Sequence, residues 1–267
     1  MVTVADILDW EKATTLLARQ APWWEPGTAI GYESLTMGPL VGEVVRRVTG
    51  KPLKAFFAEE VAGPLGADYH IGAPPEADDR VSLMIASSPP RPRTDPNSIM
   101  DRVFFNPYVY PETTHTIEWR RGDLGGSNGH GNARSVAMVQ SILACGGEAR
   151  GIRLLSRAGC ERVFQDHPLG LDQVLGFPVH WGMGYGLNGP NVHGLFGNRF
   201  DGRRIAYWGG SGGSLVINDL DARMTVAFVM NRHVESGDTD QRSIDIVNAA
   251  YDALMSSQSV SLARRLE

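Results

Sequence analysis

Tyr32 and Ser34, two residues apart, place a phenol and a hydroxyl on one short segment. The stretch Ala21-Pro22-Trp23-Trp24-Glu25-Pro26-Gly27-Thr28-Ala29-Ile30-Gly31 approaches them along a rigid, turn-rich path. A phenol carries protons near neutral pH only if neighbours lower its reference pKa of about 10. Tyr32 therefore needs a cation and a nucleophile as partners. A second stretch, Trp208-Gly209-Gly210-Ser211-Gly212-Gly213-Ser214, offers different chemistry. Its glycines let a strand edge face a ligand without side-chain obstruction. A backbone N–H there, such as that of Ser211, can donate to a developing oxyanion. The alternative is a bulged, Gly-rich turn between strands.

Two serines match Gly-x-Ser-x-Gly: Ser211 within 209–213 and Ser127 within 125–129. That pattern makes a nucleophile elbow only between a strand and a helix. Ser211 is followed by the strand-like Leu215-Val216-Ile217, and Ser127 has no apolar strand before it. The context test therefore fails for both. The seven His residues form no metal spacing. His130, in Gly129-His130-Gly131-Asn132, reads as part of a backbone turn. Glu59-Glu60 and Asp78-Asp79 read as solvated faces. Glu25, Tyr110, Trp119 and Trp181 are pocket candidates that fit core or loop positions equally well.

These groups must be positioned by regular elements. Thr3 with Asp6 marks a helix start, and that helix is expected to run to about Gln20. Leu40, Val41, Val44, Val45 and Val48 repeat at helical spacing, with Gly50 as the C-terminal glycine. Leu53, Phe56, Phe57 and Val61 predict another helix, stopped by Gly63-Pro64. Residues 72–100 read as a loop with a short element near Val81–Ala86, and Pro107–Gly131 as irregular. Asn132 caps a helix carrying Val136, Val139, Ile142 and Leu143, closed by Gly146-Gly147. The Gly-rich span 167–201 suggests strand pieces. Arg203–Trp208, Gly213–Asp219 and Arg223–Asn231 predict an antiparallel meander. Ile244, Val247, Tyr251 and Leu254 give a closing amphipathic helix. Together they predict an α+β fold: a mostly helical region over 1–160, then an antiparallel sheet and C-terminal helix over 161–267.

The chain has 267 residues, 42% hydrophobic and 21% charged, enough for a packed core. Its net charge of −5, without a basic run, argues against nucleic acid. No apolar run approaches the roughly 18 residues of a membrane span, and Asp6, Asp9 and Glu11 interrupt any signal-peptide core. Cys145 and Cys160 support neither a disulfide framework nor a zinc site. A cytoplasmic location is expected, and no cofactor. Lysine is scarce: Lys12, Lys51 and Lys54 are the only three.

Taken in order, these motifs make the chain resemble the serine β-lactamase-like family, and within it the class C β-lactamase-related, family VIII-type esterases. The resemblance rests on Trp24-Glu25-Pro26-Gly27 with Gly31-Tyr32-Glu33-Ser34, and on Gly42-Glu43-Val44-Val45 with Thr49-Gly50. Pro64-Leu65-Gly66, Gly131-Asn132-Ala133-Arg134, the 208–214 stretch and Val229-Met230-Asn231 extend it over nearly the whole chain. It implies an α/β sandwich of the β-lactamase and penicillin-binding-protein type and hydrolysis of small esters or amides through an acyl-enzyme. In that family a Ser and a Lys share a helix turn as Ser-x-x-Lys. Tyr32 matches the family's proton-shuttling Tyr, and Ser34 the third position of its motif. Trp208-Gly209-Gly210 match the substrate-binding strand, and the Ser211 N–H matches an oxyanion donor. Trp208 stands where true lactamases carry a Lys that can hold a carboxylate, which tilts the expectation toward neutral, short-chain esters.

One departure is an absence. The residues three before Lys12, Lys51 and Lys54 are Asp9, Val48 and Lys51, so Ser-x-x-Lys does not occur. In the family it lies upstream of the Tyr motif, so the chain reads as a single β-lactamase-like domain without its N-terminal part. A truncated product, a late-start gene model and a fragment needing another chain all fit. Without the Ser and Lys, acyl transfer should be lost. Without the N-terminal strands, an exposed sheet face should favour self-association. Three readings follow: an ester- or amide-hydrolysing architecture, a catalytically inactive remnant or interaction module, and a hydrolase that recruited Ser127 or Ser211.

Overall fold

A computed structural model describes residues 2–86, 93–165, 169–234 and 240–266, with 257–266 as backbone alone. The first helical stretch is two helices, α1 (Val4–Leu8) and α2 (Trp10–Arg19). Thr3 and Asp6 form the predicted capping box. Asp9 breaks the run: it ends α1, and its side chain caps α2 at Lys12 N–H. Helix α3 (Met37–Thr49) ends at Gly50 with φ 75°, as its C-terminal glycine requires. Helix α4 (Leu53–Phe57) passes Gly63-Pro64 instead of stopping there. It widens into a π turn over Ala58–Ala62 and continues as α5 (Gly63–Leu65), ending at left-handed Gly66. Pro64, which has no N–H to donate, follows directly on the π turn.

Strand β1 (Tyr69–Ile71) follows, then helices α6 (Ile99–Phe104) and α7 (Ile117–Arg121) and strand β2 (Gly129–Gly131), which pairs with β1. The span expected to be irregular thus holds a helix and a strand, and His130 is a strand residue facing His70 across the ladder. The expected element near 81–86 is a single bridge, Ile85 to Arg232; residues 87–92 of that loop lie outside the described set. Asn132 caps α8 (Ala133–Ala144) as predicted, through Ser135 N–H. A small hairpin, β3 (Glu148–Ala149) with β4 (Ile152–Arg153), leads to α9 (Arg157–Glu161).

The Gly-rich span contains the strand pieces β5 (Leu169–Leu171), β6 (Pro178–His180) and β7 (Gly186–Leu187), and also a helix, α10 (Pro190–Phe196). The meander is β8 (Ile205–Gly209), β9 (Leu215–Asp219) and β10 (Met224–Phe228), antiparallel throughout, followed by α11 (Gln241–Leu266). With β7 it forms a four-stranded sheet in the order β10-β9-β8-β7.

Strand alternation sends Ile205, Tyr207, Leu215, Ile217 and Val226 to one face, against Val192 and Phe196 of α10 and Val247 and Tyr251 of α11. Ala206 faces the other way, with Leu143 of α8, Leu187 and Leu220. Asn218 on that face donates to Gln140 of α8 at 2.9 Å. Both faces of this four-stranded sheet are therefore helix-covered, while Leu169 and Leu171 of β5 are exposed. A longer run of exposed apolar side chains lies along α3, where Met37, Leu40, Val41, Val44 and Val48 are exposed, Val48 at 79%. The pattern that predicts α3 amphipathic is present, but its apolar stripe faces outward.

Candidate active site

Tyr32 lies in the segment between α2 and α3, and the β5–β6 hairpin holds that segment in place. Ile30 bridges Asp172 in parallel, and Gln173 N–H donates to Ile30 O at 2.9 Å. Gly31 is pressed between the Trp24 ring and Val174: a Cβ there would come within 2.6 Å of Trp24. The Pro-Gly approach thus fixes the backbone one residue before the phenol. Arg102 of α6 stacks its guanidinium 4.1 Å from the Trp23 ring centre, tying the same approach to α6.

The phenol sits among rings from three other parts of the chain. Trp208, at the end of β8, stacks on Tyr32 with centroids 5.3 Å apart. Trp181 lies nearly parallel at 6.2 Å, Phe104 of α6 at 6.0 Å, and Trp181 and Trp208 meet at 4.6 Å. Asp172 organises this group from beneath. It is fully buried. One carboxylate oxygen accepts from Val174 and Leu175 N–H, both at 2.8 Å, and the other from the Trp181 indole at 3.0 Å. One acidic side chain therefore shapes the hairpin turn and aims the ring that stacks on Tyr32.

Burial pushes the Tyr32 phenol above its ordinary value, and hydrogen bonding with Trp208 and Ser34 offsets this only in part. The phenol therefore keeps its proton in this environment. None of the three lysines meets it. Lys12 pairs with Asp6, Lys51 with Glu59 and Glu60, and Lys54 donates to the Arg121 carbonyl.

The Trp208-Gly209-Gly210 stretch runs from the end of β8 into a hairpin turn. Gly210 N–H donates to Ser214 O at 2.8 Å, and Gly213 N–H to Gly210 O at 3.1 Å. Gly212 is the third residue of that turn, and its φ of 92° is the left-handed value a type II turn needs there. Ser211 is exposed on the turn, and its hydroxyl meets the His233 ring. Sequence reasoning missed His233, Phe104 and Asp172. Only Asp172 carried a local signal, an Asp able to cap the N–H groups that follow it.

The remaining candidates lie elsewhere. Ser127 is in the turn after α7, with its N–H on Leu124 O. Trp119 is buried with Ile7 and Leu124, Tyr110 is exposed beside Tyr108, and the Glu25 carbonyl accepts from Thr28. Asp78 is not simply solvated: it pairs with Arg120 and Arg121, fastening α7, and Arg121 holds its carboxyl below the usual range.

A family model described as Beta-lactamase matches residues 3–250. The chain is 30% identical over 247 residues to Esterase/beta-lactamase LipL of Mycobacterium tuberculosis, covering 86% of this chain and 54% of that protein. A family VIII carboxylesterase structure superposes with a TM-score of 0.84 at 34% identity, covering 94% of this chain and 66% of the other. A penicillin-binding protein homologue from Caulobacter crescentus gives 0.81 at 33%, covering 92% and 64%. The chain thus spans about half the length of the curated relative it matches. With the motif order, the helix-covered sheet and a match over residues 3–250, the chain belongs to the Beta-lactamase family.

Proposed function

We propose that this chain is the larger part of a serine hydrolase that cleaves short-chain esters or amides through an acyl-enzyme. The observation that carries the proposal is the stacking of Tyr32 on Trp208, which joins two motifs far apart in the chain at 5.3 Å. In this reading Tyr32 shuttles the proton between nucleophile and leaving group, with Ser34 beside it. The Trp208-Gly209-Gly210 strand seats the substrate, and the Ser211 N–H stabilises the oxyanion. The nucleophile and its lysine come from a Ser-x-x-Lys outside this chain. An ammonium placed against the phenol would lower its pKa, reversing the effect of burial. The aromatic wall of Trp181, Trp208 and Phe104 suits neutral acyl groups.

A second reading has a specific observation behind it. All three lysines are committed to carboxylates or a carbonyl away from Tyr32. By itself the chain then has no Tyr32-dependent turnover. Translating the DNA upstream of Met1 and expressing the extended protein separates the two. The hydrolase reading expects an in-frame Ser-x-x-Lys, p-nitrophenyl acetate turnover, and a loss of about 100-fold or more in kcat for Tyr32→Phe. Turnover that survives Tyr32→Phe removes Tyr32 from the mechanism. An extension lacking the motif favours the inactive remnant.

A further inference from the structure

Ser211 Oγ and His233 Nε2 lie 3.1 Å apart on the exposed rim of the hairpin turn. Among the described residues, Ser211 is the serine whose hydroxyl lies within hydrogen-bond distance of an imidazole. We propose that Ser211 and His233 form a nucleophile–base pair, making Ser211 reactive toward acyl and phosphonyl electrophiles.

The pair is built by backbone on both sides. Ser211 occupies the second position of the turn closed by Gly213 N–H on Gly210 O. His233 is strapped between that turn and the 81–86 segment. Its N–H donates to Ile85 O at 2.8 Å, Ile85 N–H to Asn231 O at 2.7 Å, and Val234 N–H to Gly212 O at 3.1 Å. Gly212 makes the approach possible. A Cβ there would stand 2.8 Å from His233 Cδ2 and 2.6 Å from Met230 Cε. The imidazole therefore packs where a side chain would otherwise be. Asp240, the carboxylate packed against Gly213, is taken by Arg242.

The chemistry balances with these groups and water. With its lone pair on Nε2, His233 takes the Ser211 proton as Oγ bonds to the ester carbonyl carbon. As the tetrahedral intermediate collapses, the carbon–oxygen bond to the alcohol breaks. The proton passes from Nε2 to the departing alkoxide. Water then gives its proton to Nε2 and attacks the acyl-serine, and the proton returns to Oγ as the acid leaves. With a fluorophosphonate, Oγ bonds to phosphorus, fluoride leaves, and His233 keeps the proton. None of these steps uses Tyr32.

The test is fluorophosphonate labelling of the whole chain, with the adduct mapped by mass spectrometry and its rate followed. The expected result is an adduct on Ser211, absent in Ser211→Ala, about 100-fold slower in His233→Gln, and unchanged in Ser127→Ala. Circular dichroism of each variant reports folding. Ser211→Cys is an independent arm: iodoacetamide should alkylate that position faster than in the Ser211→Cys/His233→Gln double variant. No adduct, an adduct on another serine, or rates indifferent to His233 overturn the proposal. Each leaves the Tyr32 reading intact, because that one stands on turnover by the extended protein.

Discussion

Asp172 and Tyr32 show how single side chains control this site. Asp172 holds two backbone N–H groups and one indole in a fully buried position. Removing it strands those donors, and one unsatisfied buried donor costs about 1–3 kcal/mol. Asp172→Ala should therefore lower stability to urea by about 2–4 kcal/mol and change Trp181 fluorescence as its ring loses its anchor. An unchanged urea midpoint would sink this account. Five of the seven tyrosines, Tyr32 among them, have phenols raised mainly by burial, that of Tyr207 to about 12. A raised folded-state pKa favours the protonated fold. The stability it contributes is fully present below about pH 10, the unfolded value, and is lost as pH rises through the folded values. In an alkaline titration the tyrosinate absorbance of these five should be delayed beyond pH 10 and rise together with loss of circular dichroism.

Elements bring these residues together, and here the sequence was legible unevenly. Caps and turns were local and readable: Thr3 with Asp6, Asn132, and Gly50 with its positive φ all act where their spacing places them. The meander was readable because its strands alternate against two helix layers. Helix α10 was hidden, because its first residue Pro190, its Gly194 and the flanking Gly189 and Gly197 look like turn chemistry while packing of Val192 and Phe196 holds it. The aromatic wall around Tyr32 was hidden for a related reason. Phe104, Trp181 and Trp208 meet only through tertiary contacts, which no spacing encodes. Gly38 of α3 is a comparable case, a contact invisible in sequence. A Cβ there would stand 2.8 and 2.9 Å from the backbone nitrogens of Gly125 and Gly126. Gly38→Ala should push α3 off the 124–126 turn and cost about 1–3 kcal/mol, read as a lowered thermal midpoint.

At the scale of the whole molecule, the apolar stripe of α3 has no cover within the described residues. Val44 is 62% exposed and Val48 79%. Such a stripe on a soluble surface invites association. The chain as given is expected to sediment as a mixture of species, and Val44→Glu with Val48→Glu to shift it toward the smallest. Sedimentation velocity at several concentrations checks this; a single species unaffected by both substitutions would rule out α3 as the sticky face. No helix among the described residues is long and apolar enough to cross a membrane.

The tilted contact between Trp181 and Trp208 also makes the site report on itself. Two indoles 4.6 Å apart at 40° are close enough for their transition dipoles to couple. Coupled chromophores in a fixed chiral arrangement give a paired positive and negative band in the far ultraviolet. Either ring replaced by Phe would abolish that signature. If the proposed function holds, a substrate wedged against Trp208 would alter it without any label, and occupancy of the proposed site becomes an optical quantity.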